Sequence, residues 1–404
     1  MGTRTGEAGV RGSGVRSDCW IGVELKDSGG LEIEVESRVG RLFGDAIRQQ
    51  LCRGLAVLGI EDARVEIEDG GCLPFGIDAR LEAAVRDACP ELDRLLLPER
   101  PVQLAPSRRD RFRRSRLYLP GNTPKLMVNA GLHGADAVIL DLEDSVAPVA
   151  KDAARCVIRN AMLSLDFQGA EIMVRINQGE RGLLDLEAIV PHGVQLILIP
   201  KVEDPEQIKA VDTRIAEISE RVGRTEPVWL MPIIESALGA LKALEIATAS
   251  PNITSLAIGL EDYTADLGVQ RTKAGTESFW MRGQVINAAR AAGVQPIDTV
   301  FSDVADAEGL RASVLEAKSL GFDGKGCIHP RQIGIANEAF APTEAEVGRA
   351  KRIVLAFDDA TSKGLGVVSL GSKMIDPPVV KRALHTVKLA LACGVLDADW
   401  RDEA

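Results

Sequence analysis

The feature that most narrows the possible folds is an alternation that begins near residue 115. Eight short apolar runs follow one another: "RLYLPG", "DAVILDLED", "IMVRIN", "QLILIPKV", "VWLMPIIE", "SLAIGLED", "PIDTVF" and "GKGCIHP". Helix-patterned stretches lie between most of them, among them "DAARCVIRNAML", "EQIKAVDTRIAEIS" and "LRASVLEAKSLG". Continuous apolar strands of this length are expected where both faces of a sheet are covered. Their number and spacing predict a TIM (β/α)8 barrel over 114–345. An open doubly wound sheet is the alternative, but no G-x-G-x-x-G follows the first strand. One more long helix, "KMIDPP" and a final helix occupy 346–404.

In such a barrel the active site lies at the carboxyl ends of the strands. Those ends read Pro120-Gly121, Asp141 to Asp144, Arg175 to Asn177, Pro200-Lys201, Glu235, Asp262, Asp298 and His329. A purely structural barrel has no need for so much charge on one rim. Glu235 and Asp262 have the character of ligands for a hard divalent cation. Mg2+ fits better than Zn2+, because no His or Cys stands with them. Each carboxylate could instead cap the helix that follows it. Arg175 offers a planar fork suited to a carboxylate; its structural alternative is a rim ion pair with Glu143 or Asp144. Lys201 suits a phosphate or a carboxylate. Cys327 and His329 read as packing or helix-start residues.

Residues 1–92 form a separate unit. "CWIGVEL", "LEIEVES" and "ARVEIED" alternate with period 2 and predict strands. "GDAIRQQLCRGLAVLG" predicts a helix with Gly59 as its C-cap, and "LEAAVRDAC" a closing helix. This is a small α+β module. A Pro-bearing linker, 93–113, leads into "RRDRFRRSR", with six Arg in nine residues. That run predicts a solvated or subunit-contacting segment, or else a patch for a phosphate-bearing ligand. The chain's net charge of −11 argues against a nucleic-acid binder. No apolar run reaches the ~18 residues of a membrane span. The N-terminus lacks the apolar region of a signal peptide. Seven dispersed Cys suggest reduced thiols and a cytoplasmic location. The residues alone thus indicate a Mg2+-dependent barrel enzyme for an anionic, carboxylate-bearing small molecule. They do not choose among enolisation, aldol cleavage and phosphoryl transfer.

Eight segments carry a resemblance. "RSRLYLPGNTPKLMVNAGLHGADAVILDLEDSV", "VRINQ", "LILIPKVED", "PIIESALG", "AIGLEDYTADLGVQRT", "AARAAGVQPIDTVFSDVAD", "GFDGKGCIHPRQI" and "GSKMIDPPVVKRA" resemble, in order, the citrate lyase β-subunit family of citryl-thioester lyases, within the HpcH/HpaI aldolase-like group. The resemblance implies a TIM barrel with a C-terminal helical lid, here 346–404, usually in a trimer. It implies carbon–carbon cleavage of a citryl thioester to oxaloacetate and an acetyl thioester, with Mg2+ held by Glu235 and Asp262. Arg175, Glu235 and Lys201 would bind substrate. Glu143 and Asp144 would hold water around the metal or the base. Asp376, on the lid, would reach a neighbouring subunit's site as general acid/base; its alternative is to cap the last helix.

"FGDAIR" and "RLEAA" in the N-terminal module resemble the acyl carrier γ-subunit of citrate lyase. That resemblance implies a phosphoribosyl-dephospho-CoA arm on a serine, assigned to Ser17, and an α-subunit-like transferase as partner. The chain departs from the family pattern G-T-L-E-S-[GS]-D, for it reads "GSGVRSD" with Arg16 in register. Ser13 is a second candidate, and "GGCLPF" is a further departure. An alternative is therefore a lyase for a free CoA thioester, such as malyl-CoA or citramalyl-CoA, with a degenerate carrier. A carrier or assembly module with the barrel as scaffold is another. The linker could permit the module to swing.

Overall fold

The computed structural model describes residues 4–97, 99, 106–363, 368–370 and 373–401. The N-terminal module holds strands β1 (Arg4–Gly9), β2 (Cys19–Leu25) and β3 (Leu31–Ser37), helix α1 (Gly40–Leu58), strand β4 (Ala63–Asp69) and helix α2 (Pro74–Ala88). Its sheet runs β1-β2-β4-β3, with only the β3–β4 pair parallel. Gly59 closes α1 in the left-handed conformation at φ 77°, as the sequence predicts.

Strand β1 was not legible. "RTGEAG" has no large apolar residue, yet Gly6 and Ala8 face α2. A Cβ at Gly6 would meet Ala84 O at 2.3 Å, so the strand must present its smallest residues inward to lie against the helix.

Next come β5 (Ser115–Pro120), α3 (Pro124–Met127), β6 (Ala137–Asp141), α4 (Lys151–Ser164), β7 (Glu171–Arg175), α5 (Gly179–Ile189), β8 (Leu196–Ile199) and α6 (Pro205–Val222). The barrel continues through β9 (Trp229–Ile234), α7 (Ala237–Leu241), α8 (Ala243–Ala247), β10 (Ser255–Ile258), α9 (Leu260–Asp266), α10 (Phe279–Ala292), β11 (Gln295–Asp298), α11 (Ala307–Leu320), β12 (Gly324–Cys327) and α12 (Arg331–Phe340). Strands β5 to β12 close into a parallel barrel, with β12 pairing β5. Ala137, Ile139, Met173, Leu196, Leu198, Met231, Ile233, Ala257 and Ile297 pack its interior.

The Arg-rich run is exposed at its start, as Arg108 and Arg109 show, and buried further on at Arg113 and Arg116. It builds the barrel floor. Arg113 and Glu171, both with wholly buried side chains, form a bidentate pair at 2.7 and 2.8 Å. Arg113 also donates to Gln295 Oε1 at 3.0 Å, and Ser107 donates to Glu171. Arg114 clamps Asp136 at 2.8 and 2.9 Å. Arg109 and Arg111 donate to backbone carbonyls of Pro251, Asp136 and Gly169. Glu171 and Gln295 are the first residues of their strands, so these arginines neutralise the amino-terminal end of the barrel. Of the expected linker, residues 98 and 100–105 lie outside the described residues.

Helices α13 (Glu344–Ser362) and α14 (Pro377–Ala392) flank a two-stranded ribbon, β13 (Val368–Leu370) and β14 (Lys373–Ile375). The helices share their own apolar cluster, including Ile353, Val354, Val380, Val387 and Trp400. The far end of α14 meets the floor: Lys388 pairs with Asp110 at 2.6 Å, and Arg114 approaches Cys393 Sγ at 3.0 Å. Among the described residues no helix is long and apolar enough to cross a membrane.

The module is packed on the barrel. Glu82 of α2 is fully buried and receives two bonds from Arg159 of α4, at 2.6 and 3.0 Å. Asn160 donates to Phe75 O at 3.1 Å. Two buried polar contacts between α2 and α4 oppose free swinging of the module, because separation would strand charges.

Candidate active site at the barrel mouth

Five consecutive strands, β6 to β10, deliver the charged groups to one side of the mouth. Strand parity explains which ones arrive. Side chains alternate faces along a strand. Ala137 and Ile139 point inward, so Asp141 does as well. Met173 sets Arg175 inward, and Met231 with Ile233 sets Glu235 inward. Asp298 follows the inward Ile297 and therefore faces out. There it binds Lys325 at 2.6 Å and Arg282 at 3.4 Å, between the barrel and its helices. His329 is also absent from the site. Its Nδ1 accepts from Arg331 N at 3.1 Å, the helix-start role expected of it. Cys327 is buried, and burial pushes its thiol up to about 11.

Asp141 was not singled out from the sequence, yet it organises the site. It takes Arg175 Nε and Nη2 on its two oxygens, both at 2.7 Å. Arg175 Nη1 then faces Glu143 Oε2 at 2.9 Å and Asp144 Oδ2 at 3.3 Å. The rim ion pair considered for Arg175 is thus present. Burial works against the Asp141 carboxylate, but the Arg175 bonds outweigh it and hold its pKa below the usual range. The guanidinium also lies 5.3 Å over the Tyr118 ring.

Lys201 is one of three non-glycine residues with positive φ, at 51°, among the described residues. Parity alone would turn its side chain outward after the inward Leu198 and Pro200. The left-handed backbone, a costly conformation for Lys, lets its amide donate to Glu235 Oε1 at 2.7 Å. Its Nζ reaches Glu143 at 3.1 Å, Asp144 at 3.5 Å and Asp262 at 3.6 Å. Burial would discharge this amine, but Glu143 and its neighbours raise its pKa.

Glu235 is only 5% exposed. Burial, and then the Asp262 carboxylate, push its pKa up to about 7 against the pull of the Lys201 amide. Glu235 does not cap α7, because Ser236 does so through Gly239 N at 3.1 Å. Nor does Asp262 cap α9, whose N-cap is Gly259 without a side-chain bond. A Cβ on Gly259 would stand 2.2 Å from Glu235 Oε2. Gly259→Ala is therefore expected to displace the Glu235 carboxylate. Any activity that uses this carboxylate should fall about tenfold or more in initial-rate assays, while far-UV circular dichroism stays unchanged.

Asp376 stands apart from these groups. It is exposed, and it caps α14 by accepting from Val379 N at 3.2 Å. Ser17 lies in the module, at φ 53°, with its amide donating to Gly70 O at 3.1 Å.

A closed parallel barrel with carboxylates, an arginine and a lysine gathered on one side of its carboxyl-terminal mouth defines a TIM-barrel enzyme. Residues 114–330 match the family described as HpcH/HpaI aldolase/citrate lyase, and residues 3–88 match an acyl-carrier family described as malonate decarboxylase delta subunit. The chain belongs to the HpcH/HpaI aldolase/citrate lyase family and is a carbon–carbon lyase. It is 39% identical to the citrate lyase subunit beta of Leuconostoc mesenteroides subsp. cremoris, over 72% of this chain and 97% of that protein. It is 34% identical to the L-malyl-CoA/beta-methylmalyl-CoA lyase of Cereibacter sphaeroides, over 71% and 98%. A crystal structure of CitE from Mycobacterium tuberculosis with magnesium, acetoacetate and coenzyme A aligns with TM-score 0.58 and 30% identity, covering 70% of this chain and 99% of that one.

Proposed function

We propose that the chain cleaves a citryl thioester into oxaloacetate and an acetyl thioester, with the thioester carried on its own N-terminal module. The observation that carries this reading is the convergence of Arg175, Lys201, Glu235 and Asp262 on one side of the mouth of a barrel to which an acyl-carrier-like module is docked. The similarity to citrate lyase beta subunits supports it.

Glu235 and Asp262 present oxygen donors alone, and the missing Cβ at Gly259 leaves room beside Glu235 Oε2. This donor set fits Mg2+, as do the magnesium complexes of related structures. Bound by these two carboxylates, the ion would supply positive charge that lowers the pKa of the substrate alcohol. Arg175 orients a substrate carboxylate through Nη1, which exchanges its pairs with Glu143 and Asp144 for the substrate while Asp141 keeps hold of Nε and Nη2. Lys201 counters further negative charge. A base takes the alcohol proton, and the O–H electrons become the carbonyl of oxaloacetate. The carbon–carbon pair passes to the thioester α-carbon, which then takes a proton. Glu143 and Asp144 hold the water or base on the alcohol side. Asp376 is the general acid/base offered to a neighbouring subunit, because its helix pair is anchored at the floor end of its own barrel. A homotrimer, an α-subunit-like transferase partner and a cytoplasmic location belong to this reading.

Ser17 is the proposed attachment point for the phosphoribosyl-dephospho-CoA arm. A second reading, cleavage of a free CoA thioester, is favoured by the malyl-CoA lyase similarity and by Arg16 standing in register. Intact-protein mass spectrometry from the native source separates them. A pantetheine-type adduct mapped to Ser17 is the expected result. An unmodified chain that turns over free acyl-CoA would establish the second reading instead.

A further inference from the structure

Arg80 lies in α2 and is 2% exposed. Its Nε and Nη2 grip both oxygens of Asp18, at 3.1 and 2.9 Å. The same Nη2 donates to Asn122 O at 2.8 Å. Asp18 belongs to the module, directly after Ser17. Asn122 belongs to the barrel, two residues beyond the end of β5. The loop 12–18 is further pinned by Ser17 N to Gly70 O at 3.1 Å and Gly70 N to Asp18 O at 3.0 Å. One guanidinium therefore joins the loop that precedes β2 to the carboxyl-terminal rim of the barrel.

The register shows how close that rim position is to the chemistry. Pro120 pairs with Asp141, and Asp141 with Arg175. Two strand spacings separate the end of β5 from Arg175, about 10 Å of backbone. Gly121 makes the close passage possible, because a Cβ there would meet Asp141 O at 2.5 Å. The second contact, Glu82 with Arg159, lies two residues further along α2 and fixes the helix against α4.

We propose that Arg80 is a positioning residue: it latches the Ser17 loop at the mouth of its own barrel, so that a group carried on that loop is delivered in cis from a fixed dock. The proposal rests on the attachment reading above. The tether then raises the local concentration of the thioester through the arm alone, with no motion of the module.

The test uses the full chain and two variants. Arg80→Ala breaks the latch but leaves Asp18 buried without its partner. Arg80→Met with Asp18→Asn removes both charges, so no buried charge is left unpaired. Hydrogen–deuterium exchange is read over 10–18 and 121–128, and turnover is measured for the self-carried thioester and for free citryl-CoA. In the double variant, exchange is expected to rise in both segments. Turnover of the carried thioester should fall about tenfold or more, and free citryl-CoA turnover should stay within about twofold. Unchanged exchange in a folded double variant overturns the latch. So does an equal loss on both substrates, the mark of a merely structural role. An unmodified Ser17 removes the attachment reading, and the latch is then decided on exchange alone.

Discussion

Glu235→Gln is expected to lower Mg2+-dependent lyase turnover by about 10²–10³-fold or more, with the fold intact. The amide keeps an oxygen to accept from Lys201 N, so the loop conformation survives. What it loses is a charge that can be neutralised by a cation. The same carboxylate gives the variant a second signature. In the metal-free protein Glu235 titrates at about 7, raised from 4.5 mainly by burial. Between those values the folded state keeps a proton that the unfolded state has released. Its contribution to stability is complete below the unfolded value and is lost as the pH climbs through 7. Metal-free wild type should therefore melt lower at pH 8 than Glu235→Gln. Added Mg2+ should raise the wild-type melting temperature at pH 8 and leave the variant's unchanged. Retained activity, or an equal Mg2+ response in the variant, would remove Glu235 from the metal assignment.

Glu171→Ala should be the most damaging single change away from the mouth. It would leave Arg113 charged and without its partner where neither side chain touches solvent. Breaking a pair of this kind costs about 3–5 kcal/mol. The melting temperature should fall by roughly 10 °C. Arg113→Met combined with Glu171→Leu should recover most of that loss, since no lone charge remains. A single variant that melts like wild type would show that the floor relaxes to let water reach Arg113.

Much of the mouth was legible because strand ends are. Arg175, Lys201, Glu235 and Asp262 each follow an apolar run, and the barrel's rule places such residues on one rim. Parity could have refined that reading. Counting alternate residues from the inward Ile139 finds Asp141, and counting from Ile297 removes Asp298. Lys201 resists such counting, since its positive φ depends on contacts with Glu235 and Glu143 from other strands. β1 was hidden because strand recognition relies on large apolar side chains, and here the neighbouring helix demands small ones. The Arg-rich run was legible only at its exposed start, Arg108 and Arg109, for a related reason: charge suggests solvent until a buried partner such as Glu171, 58 positions along the chain from Arg113, is known.

By itself, the order of residues determined the period of each segment: eight buried strands, the helices between them and a separate alternating module ahead. Those follow from local side-chain periodicity, which any short window contains. Only the tertiary structure decided where the module sits, what the arginines neutralise and which rim charges meet. Each of these depends on a partner distant in sequence, and burial gives a charge its meaning only once that partner is in place.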